Sequence, residues 1–198
     1  MKNVILGLLA FATVAFVSCD KDEDNTPKPF TLKSADVTTV FGDENFGNGF
    51  NGCTGANKSP QLTWENAPTG TKSFAITMID LNAFGPNISF DHWLLINIPT
   101  SSNSLVKDAG NASGANLPAG ASHTPNGAFD YDLTHPDYYK SYAGVCPNIG
   151  NTNQYEITVY ALNVPTLNVS ANATSTEVKA AIHAATISST KMSVTASR

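Results

Sequence analysis

Between His92 and Asn97 the chain runs Trp93-Leu94-Leu95-Ile96 without a polar residue. Successive side chains of a strand point to opposite faces, so an apolar run this short suits a strand covered on both sides. Other strand signals occur at 74–79, 155–162 and 192–196, each set off by Gly, Pro, Asn or Ser. In the third run Tyr155, Ile157, Val159 and Ala161 alternate with Glu156, Thr158, Tyr160 and Leu162. One helix is signalled near the C-terminus: Thr174 and Glu177 make a capping-box pair, and Val178, Ala181, Ile182 and Ala185 then share one face. Residues 99–150 are rich in Gly, Asn, Ser and Pro yet carry Tyr131, Tyr138, Tyr139 and Tyr142, which reads as ordered loops with a short strand or two. The chain is expected to be mainly β.

The N-terminus reads as a targeting segment. Lys2 gives a short positive region, residues 4–17 an apolar run, and Val17-Ser18-Cys19 a small-residue cleavage site. Phe16-Val17-Ser18-Cys19 looks like a lipobox, in which the cysteine is acylated and becomes the mature N-terminus. The reading is therefore a signal peptide over residues 1–18, a lipidated flexible tether over 19–29 and one domain over 30–198. The acidic stretch Asp20-Lys21-Asp22-Glu23-Asp24 suits a solvated tether. The expected location is the cell envelope of a bacterium, lipid-anchored at the outer membrane and facing the periplasm or the surface. In that setting five Asn-x-Ser/Thr triplets, at Asn57, Asn87, Asn111, Asn168 and Asn172, are read as chance.

The formal charge of −5 becomes more negative once Lys2 is removed, and Lys and Arg are scattered, so nucleic-acid binding is set aside. If Cys19 carries lipid, Cys53 and Cys146 remain in an oxidising compartment, where they are expected to pair. His92, His123, His135 and His183 are too dispersed for a zinc site, and neither a metal nor a cofactor is expected. His123 and His135 read as polar-loop residues and His183 as a helix surface residue.

Residues 57–74, which contain Asn57-Lys58-Ser59-Pro60-Gln61-Leu62-Thr63-Trp64, resemble the Asn-x-Ser-Pro-x-Leu-x-Trp signature of the phosphatidylethanolamine-binding (Raf-kinase-inhibitor-like) family in its bacterial branch. Four further matches follow in the family's order: Asp80-Leu81-Asn82-Ala83, then His92-Trp93 with Asn97-Ile98-Pro99, then residues 142–147, then the strand at 155–162. The resemblance implies two packed, largely antiparallel sheets with a small pocket at their rim. It places Asp80, Asn82, His92, Gly144, Pro147, Asn153 and Tyr155 around a phosphate-like or phosphoethanolamine-like ligand, with Phe90 as a wall. It also brings Cys53 and Cys146 to the same end of the fold.

The residues make chemical sense by themselves. Asp80 closes one strand and His92 opens the next, so a return through Gly85 and Pro86 brings carboxylate and imidazole together. A carboxylate accepting from one ring nitrogen favours the protonated ring and aims the other N–H outward, as suits an anion. Gly144 and Gly150 around Pro147 permit backbone N–H groups to converge as an anion-binding nest. Tyr155 adds a phenolic donor. Four positions depart from the family pattern: Asn82 stands for its second Asp, Phe84 for a Pro, Asn153 for a His and Gln154 for an Arg.

The leading expectation is a non-catalytic binding domain for a small anion or phospholipid headgroup, which also acts as an inhibitor of a protein partner such as a protease. Two alternatives stand beside it. One is a structural surface lipoprotein with a vestigial pocket. The other is a hydrolase in which Asp80 and His92 supply the base and Cys146 the nucleophile, a role that a disulfide removes.

Overall fold

A computed structural model describes residues 26–127 and 139–198. The readings on residues 1–18, on Cys19 and most of the tether, and on Tyr131, His135 and Tyr138 lie outside the described residues. In chain order the elements are β1 (Thr31–Lys33), β2 (Leu62–Glu65), β3 (Ser73–Asp80), β4 (Phe90–Pro99), β5 (Ser104–Leu105), β6 (Ser122–His123), β7 (Thr152–Leu162), α1 (Ser175–Ala185) and β8 (Thr186–Ser197). They form a three-stranded sheet, β1-β2-β5, and a five-stranded sheet, β6-β4-β3-β7-β8. Neighbouring strands pair antiparallel throughout.

The apolar run in β4 has cover on both faces. Trp93 and Leu95 join a core with Leu32, Leu62, Trp64 and Leu105 of the small sheet and with Ile76, Met78, Ile157 and Val159 of the large one. Leu94 and Ile96 turn the other way and pack with Val178, Ile182 and Ala185 of α1. Each fully buried side chain of this size contributes about 1.5–3 kcal/mol, so a strand buried on both faces anchors the layers on each side of it. The helix begins as its cap predicts: Thr174 Oγ1 accepts from the Glu177 amide at 3.2 Å, and Glu177 Oε2 accepts from the Thr174 amide at 2.8 Å.

Strand bounds differ from the sequence reading in two places. β8 starts at Thr186, directly after α1, rather than near residue 192. Its first half, Ile187-Ser188-Ser189-Thr190-Lys191, is polar and only partly covered, and backbone pairing to β7 over the whole length holds it. β1 and β2 are short and carry no strand signal of their own in the sequence, although Leu62 and Trp64 of the recognised motif point inward. His123 also differs from its reading as a polar-loop residue. It lies on β6, where its Nδ1 accepts from Trp93 Nε1 at 3.1 Å, and burial lowers its pKa from the ordinary 6.5.

Candidate functional site

The site lies where β3 ends, β4 begins and β7 passes alongside. Asp80 pairs with Phe90 on one side and with Tyr155 on the other. The β3–β4 register slips here: Met78 faces Trp93, but Ile79 faces Asp91, so His92 is an extra residue in the ladder. Such a bulge re-aims a side chain. Strict alternation would send His92 to the helical face with Leu94. Instead Asp91 takes that face, where the Lys179 ammonium of α1 lies 2.7 Å from its Oδ2, and His92 joins Asp80 and Tyr155 on the core side. An Asp-His dipeptide at a bulge thus supplies one group to the helix and one to the site.

Asp80 is held from two directions. Its Oδ1 accepts from the Asn82 amide at 3.0 Å and its Oδ2 from Asn153 Nδ2 at 2.7 Å. His92 lies between aromatic rings, with Phe90 at 4.8 Å and Tyr155 at 5.3 Å, and Phe41 packs edge-on against Tyr155 at 5.4 Å. Asp80, His92, Asn153 and Tyr155 are all at most 5% exposed, so the cluster sits inside the protein. Among the described residues the buried Tyr155 hydroxyl has Asp80 and Asn153 as polar neighbours but no close hydrogen bond. Burial first, and then the negative Asp80, push its pKa far above the ordinary phenol range.

The state of His92 corrects the sequence reading. Its Nδ1 lies 2.7 Å from the carbonyl oxygen of Ala143, and a carbonyl only accepts, so Nδ1 carries a hydrogen. Nε2 faces Asp80 Oδ2 at 4.0 Å. The expectation that Asp80 holds the ring protonated and frees an outward N–H does not stand. Desolvation is the largest influence and lowers the pKa from 6.5, outweighing the Ala143 carbonyl and the charges of Asp80 and Asp91. In the neutral ring Nε2 is an acceptor, so two acceptors confront one another across the cluster. A group that brings a proton between them complements both.

The expected anion nest is also corrected. The amides around Gly144 are committed within the protein: Tyr142 N donates to Gly110 O, Ala143 N to His92 O, and Val145 N to Asn45 O. Gly144 N donates to Asn57 Oδ1 at 2.7 Å, and Gly150 N is taken by Arg198 O at 2.6 Å. This segment is a brace that carries the Ala143 carbonyl to His92. Pro147 is buried within it. Cys53 and Cys146 are disulfide-bonded, with an S–S distance of 1.98 Å and Cα atoms 6.1 Å apart, so Cys146 is not a free nucleophile. The sequence reading gave no role to Asn57, which bonds both Gly144 N and Tyr142 O. Nor did it use Tyr142, whose hydroxyl reaches Asn45 O at 2.9 Å. Asn57 opens the recognised motif, and its left-handed backbone, φ 53°, is a conformation that asparagine tolerates better than most residues.

Asn82 closes the polar end: its Oδ1 accepts from Gln154 N at 2.8 Å and its Nδ2 reaches Thr152 O. Outside the cluster lies a recess of about 800 Å³ lined by residues 82–86 on one side and 148 and 150–153 on the other. Asn82 and Asn153 belong to both. Among the seven positions expected to surround a ligand, Asp80, His92, Asn153 and Tyr155 come together inside. Asn82 spans cluster and recess, and Gly144 and Pro147 support from behind.

Comparison with known proteins gives a consistent result. The family model described as phosphatidylethanolamine-binding protein matches residues 38–197. UPF0098 protein YbcL of Escherichia coli is 38% identical over 122 residues, 61% of this chain and 61% of its own length. The chain thus spans about three fifths of that relative. UPF0098 protein YbhB of the same organism is 32% identical over 133 residues, 67% of this chain and 77% of its own. A protein named as a lipoprotein, LppC of Mycobacterium tuberculosis, is 31% identical over 113 residues, 57% of this chain and 47% of its own. The crystal structure of YbcL superposes with a TM-score of 0.76 at 31% identity, over 85% of this chain and 98% of that one.

Proposed function

The chain belongs to the phosphatidylethanolamine-binding protein family, and on that premise we propose that it is a lipid-anchored, non-catalytic binding domain that takes a phosphate-like group at Asp80, His92, Asn153 and Tyr155. The observation that carries the reading is the Tyr155 hydroxyl, fully buried beside Asp80 and Asn153 with no close hydrogen bond among the described residues. An unpaired buried hydroxyl destabilises by about 1–3 kcal/mol, and a fold keeps one most readily where a ligand completes it.

The cluster selects how an anion is carried. The Asp80 carboxylate and a His92 ring whose burial disfavours the charged form give a fully ionised phosphate little to pair with. A singly protonated phosphate fits better. Its P–OH donates to the acceptor pair formed by His92 Nε2 and Asp80 Oδ2, while an unprotonated oxygen accepts from Tyr155. Phosphate esters lose their second proton near a pKa of about 6, so affinity rises as pH falls towards that value. Phosphoethanolamine adds an ammonium that the recess beyond Asn82 and Asn153 admits.

Calorimetric titration with phosphate and phosphoethanolamine at pH 5.5 and 7.5, on wild type, Tyr155→Phe and His92→Ala, tests the reading. Tighter binding at pH 5.5 and weakened binding in both variants are expected. If neither ligand binds, or both variants bind as wild type does, the cluster is a structural remnant and the surface-scaffold reading replaces this one.

Location follows from a different line of support. The lipobox-like Phe16-Val17-Ser18-Cys19, the disulfide and the likeness to LppC all suit an acylated protein outside the cytoplasm. Intact-mass analysis of native protein should find Cys19 as the N-terminus with added lipid mass. A mature terminus elsewhere, or one of peptide mass alone, excludes the anchor.

A further inference from the structure

Arg198 follows β8 and lays its guanidinium over the disulfide. Nη1 lies 2.9 Å from Cys53 Sγ and 3.0 Å from Cys146 Sγ, and donates to Asn51 O at 2.7 Å. The backbone of the same residue is tied down, since Arg198 N donates to Asn151 O at 3.2 Å and Arg198 O accepts from Gly150 N. The charge is thus held against the sulfurs by the fold. Beside it is a second recess, of about 400 Å³, lined by Cys53, Asp43 and Arg198 among others. Cys53, 4% exposed, is among the lining residues and the half-buried Cys146 is not, so the recess gives an approach to the Cys53 side of the bond.

Thiol–disulfide exchange proceeds through thiolates, and it is faster when the leaving sulfur is the better-stabilised anion. A neighbouring cation supplies that stabilisation. Arg198, fixed on both sulfurs, is such a cation. We propose that Cys53–Cys146 is an exchange site for a low-molecular-weight thiol, which is taken up as a mixed disulfide on Cys53. This goes beyond the ligand cluster and does not depend on it.

The thiol enters the recess as its thiolate and attacks Cys53 Sγ. The new S–S bond forms as the Cys53–Cys146 bond breaks, and the electron pair leaves on Cys146 Sγ as a thiolate beside Arg198. A second thiol molecule, attacking the mixed disulfide as its thiolate, releases the oxidised small disulfide and leaves the Cys53 thiolate, so two thiols are oxidised for each protein disulfide reduced. The groups facing the leaving sulfur are few. Phe50 O and Asn51 O lie 3.3 and 3.7 Å from Cys146 Sγ, and their partial charges oppose a thiolate. The full positive charge at 3.0 Å outweighs them. Asp43 lies on the recess wall with Cys53 and tempers the attraction of anionic thiols.

Folded, oxidised protein is mixed with free cysteine at pH 7.5, quenched by alkylation and followed by intact mass and peptide mapping, for wild type, Arg198→Gln and Arg198→Lys. The proposal expects a single cysteine adduct on Cys53 with Cys146 alkylated. It expects formation about tenfold slower in Arg198→Gln and within about threefold of wild type in Arg198→Lys. In the reduced protein the Cys146 alkylation profile should have its midpoint below the ordinary thiol value of about 8.5 and return to it in Arg198→Gln. An adduct on Cys146, equal rates in wild type and Arg198→Gln, no reaction of the folded protein, or an unshifted alkylation midpoint overturns the proposal.

Discussion

His92 Nδ1 donates to the carbonyl of Ala143 at 2.7 Å, so a residue 51 positions further along the chain fixes the tautomer of the site histidine. The ring's remaining nitrogen is then an acceptor whenever the ring is neutral, and burial favours that state. The proton balance of the cluster therefore depends on a backbone segment that the ligand need not touch.

A pH dependence of stability follows. His92 has a folded pKa below 6.5, so as pH falls below 6.5 the unfolded chain takes up the proton first. Stability from this group is constant above that value and is lost as pH falls from it towards the folded pKa, at about 1.4 kcal/mol per unit. His123 acts in the same direction, so the comparison must isolate His92. Urea unfolding at pH 7.5 and 5.0 should show a smaller loss in His92→Gln than in wild type. An equal loss means that the His92 pKa is not depressed.

Asn153 stands where the family pattern has a histidine, and it supplies a neutral donor to Asp80 Oδ2 at 2.7 Å. Asn153→Ala removes that donor and leaves a carboxylate that is 2% exposed. The uncompensated carboxylate then lies 4.0 Å from His92 Nε2 and favours a proton on that ring. The variant should lose roughly 1–3 kcal/mol at pH 7, and the His92 pKa, followed by NMR of its ring protons, should rise. A destabilised variant with an unmoved His92 titration would mean that Asn153 acts on Asp80 alone and leaves the ring unaffected.

The Cys53–Cys146 bond joins residues 93 apart. Closing a loop of that length stabilises by about 4–5 kcal/mol in the chain-entropy model. Replacing both cysteines by alanine should lower the free energy of unfolding by about that amount, as measured by urea denaturation. A loss under about 1 kcal/mol would mean that the unfolded chain is already constrained or that the bond strains the native state.

Much of this architecture was legible in the residues. The apolar run at 93–96 announced a strand with layers on both faces, and Thr174 with Glu177 announced the helix, because both signals are local and each has one physical cause. The meeting of Asp80 and His92 was legible as well, since it needs only a strand end, a return and a strand start. The bulge at His92 was not, because register is set between strands and no local pattern marks an extra residue. The protonation of His92 depends on how deeply the fold buries it and on a carbonyl from residue 143. The glycine segment read as an anion nest because Gly permits one, whereas its amides are consumed by Asn57, Asn45 and Gly110, partners that lie far away in sequence.

Gly144 is required for space rather than for its backbone angle. A Cβ there would sit 2.4 Å from Gly47 N, 2.7 Å from Asn57 Oδ1 and 2.7 Å from Gly47 Cα. Two of these atoms are backbone and the third holds the Gly144 amide, so none can yield cheaply. Gly144→Ala should therefore destabilise by about 2–3 kcal/mol through overpacking. It should also move the adjacent Ala143 carbonyl away from His92. That bond favours the protonated ring, so its loss lowers the His92 pKa further and frees the tautomer, and phosphate should bind more weakly at pH 5.5. Gly42→Ala is the control, since its Cβ would meet only Asn45 Oδ1 at 3.9 Å, and it should change stability by less than about 0.5 kcal/mol. Thermal melts and His92 ring-proton titrations of the two variants decide the matter: if Gly144→Ala matches Gly42→Ala in both, the 142–147 segment does not brace the site.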